Sequence, residues 1–519
     1  MYLSIGQLFE QSVNKFPSKE AIVDSERGRR YTYSQWNELV NQSVQAFRMS
    51  GVKKGDVVSV FLFNSIEFAT IFLACAKMGA IFNPINFRLK WKEVAHIVCD
   101  ATPALFIYDE LLAAEVSQLQ KADPKLRCWM SSTTSRADSL QTYIQNAPTT
   151  ALPIEVNEDE AYSLMYTSGT TGKPKGVLHR HRDMIEQSLI CMQALQLRPH
   201  DRGLTAAPMF HCAELHCAFL PRIHCGATSI IMSQFQPKQV LSIMEKECIS
   251  VMFAAPAMWN MLMQEDVTQY RLDALRLGLY GGAPMAPILI RKLMDTMGIA
   301  LVQAYGMTEM GPAISFLYEE EQERKVGSAG IACPNHEIRI VKPVYNETSA
   351  TMQELPPFEK GEIIVRGTSM MKGYLGKKQA TAQALRSGWY HTGDIGYKDE
   401  DGYLYVSDRI DDMIISGGEN IFPREVEDVL FEHEDVLDVA VFGEPDEVWG
   451  ERVVAVIVRK KENVSVEELD CFCQESAQLA NYKRPRRYIF SQELPRNASG
   501  KIQKYVLRES VREIKTEQP

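Results

Sequence analysis

The sequence predicts an α/β fold: a large N-terminal domain of parallel-type sheets with covering helices and a small β-rich subdomain, then a smaller, mobile α+β C-terminal domain. Three observations predict it. Short apolar runs alternate with amphipathic helical patterns up to about residue 320. From Gly361 the texture changes to short strands with turns, in GEIIVRG and GWYHTGDIGYKDEDGYLYVSDR. After Arg409 a mixed α/β pattern with its own hydrophobic periods resumes. The expected division is therefore 1–409, with the β-rich subdomain at about 325–409, and 410–519, joined near Ile410 without a Pro/Ser linker.

Within the first domain, residues 57–62 read as a strand. Asn64 with Glu67 reads as the cap of a helix running through Met78, and residues 80–83 begin the next strand. This is a βαβ unit, which implies parallel pairing. Residues 161–165 form an apolar run, and Asp183 with Glu186 suggests a capping box ahead of Ile185, Leu189 and Met192 at helical spacing. Strand-like runs at 203–208, 228–232, 250–254 and 276–280 continue the alternation, and Asp401-Gly402 between two such runs signals a hairpin.

The most informative stretch is YTSGTTGKPKG at 166–176. Glycines let the backbone bring its N–H groups against an anion, four hydroxyls add donors, and Lys173 and Lys175 add charge, so the stretch reads as a phosphate cradle. An ordinary surface loop has no need of this composition directly after a buried strand. Two residues rather than four separate Gly169 from Gly172, and Pro174 follows Lys173, which disfavours a Walker-type NTPase. The expected unit is strand, phosphate loop, helix.

The 519 residues allow roughly three or four compact units of about 150 residues. A net charge of -10 argues against general nucleic-acid affinity. Eleven cysteines without a C-x-x-C pair, and an N-terminus lacking signal-peptide character, point to a reducing, cytoplasmic setting. The most apolar region, 57–85, is interrupted by Asn64, Glu67 and Lys77, far short of the roughly 20 apolar residues that span a bilayer. Peripheral membrane contact and dimerisation stay open.

Five stretches then fall in order: the cradle, QAYGMTEMG at 303–311, YHTGD at 390–394, DRIDDMIISGGENIFPREVE at 408–427 and PRNASGK at 495–501. In this order the chain resembles the adenylate-forming superfamily of acyl-CoA synthetases, nonribosomal peptide adenylation domains and firefly luciferase, most of all the fatty acyl-CoA synthetases. The resemblance implies two steps: a carboxylate attacks the α-phosphate of ATP to give acyl-AMP and pyrophosphate, then a thiol displaces AMP. Catalysis of the first step is mostly charge neutralisation and positioning.

The resemblance also implies site residues. Thr167, Ser168, Gly169, Thr170, Thr171, Gly172 and Lys175 would hold the phosphates, with Thr167 and Glu309 beside Mg²⁺. Tyr305, Gly306 and Thr308, with Gly281 and Gly282, would border the nucleotide, and Asp394 and Arg409 would take the ribose hydroxyls. Lys501 would be the adenylation lysine and Asp411 the hinge on which the small domain swings between steps. For coenzyme A, Gly417 and Gly418 would line the pantetheine tunnel, while Trp449, Tyr482, Arg484 and Arg486 offer an aromatic and cations suited to a free nucleotide.

The acid is read from His211, 212–219, 256–262 and 281–284: a Met-rich wall without Lys or Arg in 256–262 suits an apolar chain, with His211 as gate to the thiol tunnel. A fatty acid fits best. An aryl acid, a carnitine-like acid, or a carrier protein as acceptor are the alternatives, and a non-catalytic nucleotide binder is opposed by intact Lys175, Glu309, Asp394, Arg409 and Lys501. His211, Glu214 and His216 match neither zinc helix motif, and on an α-helix an i, i+5 pair points about 140° apart.

Overall fold

The computed structural model describes residues 3–132, 139–167, 174–342, 352–409, 412–417, 419–461, 464–476, 478–496 and 502–514, the side chains of Asp408, Arg409, Asn420 and 512–514 excepted. The chain packs into two compact units, Met1–Glu337 with Val365–Tyr390, and Ile338–Ile364 with His391–Pro519. Ile410 and Asp411, where the sequence places the domain boundary and hinge, lie outside the described residues.

The first unit is built on two sheets. Among the described residues the larger has nine strands, in the order Ile331–Ala332, Ala313–Leu317, Ala300–Gly306, Leu277–Gly281, Val251–Ala254, Arg202–Thr205, Thr228–Ile231, Glu20–Asp24 and Arg30–Thr32. Its interior pairs are parallel and only its ends antiparallel. The smaller has seven, in the order Gly373–Tyr374, Lys175–Arg180, Ala161–Thr167, Ile81–Pro84, Val57–Phe61, Leu105–Asp109 and Cys128–Ser131.

The expected βαβ unit is present, with Val57 paired in parallel to Ile81. Its helix, Ile66–Met78, is buried on nearly every side, as its almost continuous apolar sequence requires. Gly79 closes it in the left-handed conformation at φ 73. Ser65, not Asn64, is the N-cap, its hydroxyl accepting from Phe68 N–H at 3.1 Å. Asn64 instead donates to the Ala207 carbonyl and accepts from Met209 N–H. Trp36, Phe72, Phe82, Tyr162 and Phe219 fill the core between these layers.

The cradle corrects the expected strand, loop, helix order. Its two sides are the antiparallel strands Ala161–Thr167 and Lys175–Arg180, so it is a hairpin, and the helix His181–Ala194 follows only afterwards. The helix starts two residues before the expected cap: Arg180 is the N-cap residue, and Asp183 accepts from its N–H at 2.9 Å. Leu189, expected on the apolar face, is 45% exposed, and the buried face runs through Met184, Ser188 and Cys191.

One ionic pair crosses this core. Residues 213–219 form a π-helix, and Glu214 bonds Arg222 at 2.9 Å with both side chains buried. Gly203 makes the room, because a Cβ there would lie 2.2 Å from Arg222 Cδ. Among the described residues no helix is long and apolar enough to cross a membrane.

In the second unit the strand Tyr390–Lys398 pairs antiparallel with Leu404–Arg409 across the turn predicted at Asp401-Gly402, where Gly402 has φ 84. A further sheet pairs Val436–Asp446 with Gly450–Arg459, and the latter with Arg487–Ser491 and Ile414–Ser416. Its faces are buried by Val426, Leu430 and Leu469 on one side and by Leu507 and Val511 on the other.

Burial pushes the Glu214 carboxyl up to about 7 against the Arg222 guanidinium, which lowers it. A folded-state value above the ordinary one means stability present at acid pH and lost as pH rises through about 7. Arg222→Met is therefore expected to cost about 3–5 kcal/mol at pH 8 and distinctly less at pH 5, where Glu214 is protonated. Urea unfolding at the two pH values checks this; equal costs would show that the pair carries no buried charge.

Candidate active site

The hairpin register sets Thr167 directly opposite Lys175 and Tyr166 opposite Gly176. Gly176 is required by close packing, since a Cβ there would lie 2.7 Å from Leu164 Cδ1 and 3.0 Å from the Tyr166 ring. Ser168, Gly169, Thr170, Thr171 and Gly172 lie outside the described residues. The edge strand Gly373–Tyr374 pairs with the Lys175 arm, Tyr374 opposite Val177. In consequence Lys175 Nζ stands 5.3 Å over the Tyr374 ring.

Tyr374 Oη donates to Glu309 Oε1 at 2.9 Å, and Met371 N–H donates to the Glu309 carbonyl at 2.8 Å. The Glu309 side chain sits in a buried 3-10 turn, Thr308–Met310. Burial and the neighbouring Glu309 charge hold the Tyr374 phenol well above its ordinary pKa, so it stays a donor. Sequence reasoning did not single out Tyr374; the MKGYLG run after the Gly361 strand was the available signal.

Thr308 is held from two sides. The buried His179 ring donates from Nε2 to the Thr308 carbonyl at 2.6 Å, and Thr308 Oγ1 lies 3.2 Å from Cys212 Sγ. Burial lowers the His179 pKa and keeps the ring neutral. Next to Cys212, His211 is lowered to about 4 by burial, and its Nδ1 accepts from Ala213 N–H at 3.3 Å. The Asn64 bonds to Ala207 and Met209 steady the segment leading to His211.

His216 is turned away from this group, its Nε2 sharing a 2.8 Å bond with Tyr162 Oη, and Glu214 faces Arg222. These contacts, not an α-helical angle, separate the three residues, because 213–219 is a π-helix.

Gly281 and Ala304 are partners on parallel strands, and a Cβ on Gly281 would lie 2.5 Å from the Ala304 carbonyl oxygen. Gly306 is tighter still, since a Cβ there would lie 1.8 Å from the Pro312 carbonyl oxygen, and Gly282 has φ 80. Tyr305 lies on the same strand opposite Ser315, half-buried. On the expected acyl wall, Trp259 and Leu262 belong to the core, with Trp259 Nε1 donating to the Leu279 carbonyl, and Met261 is exposed. The 212–219 side chains from Glu214 onward are likewise buried.

In the second unit Asp394 is buried, its N–H donating to Thr392 Oγ1 at 3.0 Å, and it pairs on the backbone with Arg409. Gly417, at φ 61, donates its N–H to the Trp449 carbonyl at 2.8 Å, and a Cβ would meet the indole at 2.9 Å. Gly417 thus lies against Trp449, which is 59% exposed. Tyr482 is also exposed, and Arg486 donates to the Asn481 carbonyl. The other cations of the basic run YKRPRR at 482–487 face acids: Lys483 bonds Glu425, Arg484 bonds Asp470 and Arg487 bonds Glu444. The Arg409 side chain, Gly418 and Lys501 lie outside the described residues.

The model of the AMP-binding enzyme family matches residues 9–375, and that of the AMP-binding enzyme C-terminal domain matches 425–501. The chain is 36% identical over 98% of its length to the long-chain-fatty-acid–CoA ligase FadD13 of Mycobacterium tuberculosis, of which it covers 98%. It is 37% identical over 95% of its length to a feruloyl-CoA synthase of Amycolatopsis, of which it covers 96%. Among solved structures, ATP-bound MatB from Rhodopseudomonas palustris matches with a TM-score of 0.89 at 27% identity, over 99% of this chain and 100% of that one. A Mycobacterium tuberculosis fatty acyl CoA synthetase matches at 0.78 and 34% identity, over 98% of each chain. With family models matched over both parts and relatives at 36–37% identity along nearly its whole length, the chain belongs to the AMP-binding enzyme family of adenylate-forming acyl-CoA synthetases.

Proposed function

We propose that this protein is an ATP-dependent acid:CoA ligase acting on medium- or long-chain fatty acids. A carboxylate oxygen attacks the α-phosphorus of ATP and pyrophosphate leaves; the thiol sulfur of coenzyme A then attacks the acyl carbon, AMP leaves and the thiol proton is released. The observation that carries the reading is the approach of Lys175 and Glu309 to one tyrosine beside the phosphate hairpin. There an ammonium, a carboxylate and the Thr167 hydroxyl stand near where a triphosphate would lie.

Glu309 and Thr167 are hard oxygen donors of the kind magnesium prefers, so the donor set fits the metal. Magnesium, when bound, supplies positive charge against the phosphates. Lys175 adds a fixed cation, and Thr167 with Ser168, Gly169, Thr170, Thr171 and Gly172 adds donors. The backbone at Gly281, Gly282 and Gly306 passes the base beside Tyr305, and Thr308 keeps the Glu309 turn in place. Asp394 and Arg409 take the ribose, and His211, neutral at working pH, gates the acyl pocket.

Lys501 serves the first step and the Trp449 face the second. Gly417, Gly418 and Tyr482 belong to that face, with Arg486 a freer cation than Arg484, which is engaged by Asp470. We divide the chain at 409/410, with Asp411 as hinge; a separate family model over 425–501 supports a distinct C-terminal domain. Eleven free thiols support a reducing, cytoplasmic location. A second reading, an aryl acid as substrate, is favoured by the feruloyl-CoA synthase, which is as similar as the fatty-acid ligase.

Lys175→Ala and Glu309→Ala are each expected to lower pyrophosphate release with saturating acid by about 10²- to 10³-fold. Near wild-type rates in either would remove that residue from the site. Across an acid panel, kcat/KM should climb from acetate towards longer alkyl acids, each buried CH₂ adding up to about 0.8 kcal/mol. Ferulate or another aryl acid as best substrate would replace the fatty-acid reading with the second one.

Lys501→Ala should cost about 10²- to 10³-fold in adenylate formation and leave thioester formation from supplied acyl-AMP nearly untouched. Trp449→Ala should do the reverse, raising KM for coenzyme A. Equal loss of both half-reactions in either variant would contradict the division of labour.

A further inference from the structure

One side chain touches both Lys175 and Glu309, and the proposed function gives it no role of its own. Tyr374 sits between Lys175 and Glu309, its ring under the ammonium at 5.3 Å and its hydroxyl on the carboxylate at 2.9 Å. We propose that Tyr374 is a positioning residue for MgATP, its hydroxyl orienting the Glu309 carboxylate towards the metal and its ring seating Lys175 towards the phosphates.

Its backbone is tied to both partners. Lys372 N–H donates to the Leu178 carbonyl and Leu375 N–H to the Gly176 carbonyl, each at 2.8 Å, which stitches the segment to the arm that carries Lys175. Met371 N–H donates to the Glu309 carbonyl, also at 2.8 Å, which stitches it to the acidic turn. Tyr374 N–H is itself held by Thr381 Oγ1 at 3.0 Å. The ring therefore projects from a braced strand rather than from a loose loop.

The chemistry of the two contacts differs, so they can be separated. A phenol O–H on Oε1 restricts rotation of the carboxylate, the way an outer hydrogen bond orients a metal-ligating carboxylate, and losing such a bond typically weakens metal binding about 10- to 100-fold. The ring face attracts the ammonium through its quadrupole, an effect independent of the hydroxyl. Tyr374→Phe removes only the first contact, and Tyr374→Leu removes both.

The inference rests on the assignment of Glu309 and Lys175 to MgATP, and the test keeps the two apart. Mn²⁺ is titrated into protein with a non-hydrolysable ATP analogue while free Mn²⁺ is read by electron paramagnetic resonance, and analogue binding without metal is measured by calorimetry. Tyr374→Phe should weaken Mn²⁺ binding about 10- to 100-fold with metal-free analogue binding unchanged. Tyr374→Leu should additionally weaken metal-free binding, by about 3- to 30-fold.

Wild-type Mn²⁺ affinity in Tyr374→Phe, alongside its loss in Glu309→Ala, would overturn the role of Tyr374 and leave the Glu309 assignment intact. Wild-type affinity in Glu309→Ala would overturn both. Equal losses of metal-free and metal-dependent binding in Tyr374→Phe, with a lowered unfolding temperature, would make the tyrosine a packing element and overturn the inference.

Discussion

The antiparallel register between Ala161–Thr167 and Lys175–Arg180 is the constraint from which the arrangement of the first unit's site follows. Side chains alternate along a strand, so Lys175, Val177 and His179 share one face. Tyr374, paired with Val177, presents its side chain on that same face and lies diagonally from Lys175. Farther along, His179 reaches the Thr308 carbonyl from the same side. A slip of one residue would turn Lys175 and His179 away from the Glu309 turn at once. Pairing on the two sides of Lys175–Arg180 thus positions a cation, an aromatic platform and the donor that holds the acidic turn.

Holding this site together requires polar groups in an otherwise apolar interior. His179 spends its Nε2–H on a carbonyl, Thr308 shares its hydroxyl with Cys212, and Asn64 satisfies two backbone groups ahead of His211. Burial lowers the pKa of His179, His211 and His216, so these rings enter the interior neutral, avoiding the larger penalty of a buried charge. Glu214 with Arg222 is an ionic pair in the same interior, and it lies where the 213–219 helix widens to the π form. Buried hydrogen bonds are directional, so they specify the relation between segments that apolar packing alone would leave adjustable.

Much of the architecture was legible because it rests on local periodicity. The βαβ unit at 57–84, the GEIIVRG strand and the Asp401-Gly402 hairpin each follow from apolar spacing and turn chemistry within a few residues. The errors arose where a distant partner chose between local alternatives. KGVLHR is short and flanked by charge, and its pairing with Ala161–Thr167 makes it a strand where the expected unit went from loop to helix. Asn64 reads as the cap from its neighbours alone; the carbonyl of Ala207, far along the chain, claims its amide, and Ser65 caps the helix. Trp259 belonged to an apparent acyl wall until the carbonyl of Leu279 and the core around it took the indole inward.

By itself, the sequence determined the α/β class, the order of the family's motifs and the family they belong to, because glycines, hydroxyls, lysines and acids at fixed spacing carry their chemistry locally. Tertiary structure alone decided which side chains meet. Tyr374 lies 199 positions beyond Lys175 and 65 beyond Glu309, yet reaches both across paired strands and a backbone tie. Lys483, Arg484 and Arg487 form a basic run on paper but are neutralised in space by Glu425, Asp470 and Glu444. The physical reason is common to both: charge and hydrogen bonding act over a few ångströms of space, and chain separation does not limit them once the sheets have brought the segments together.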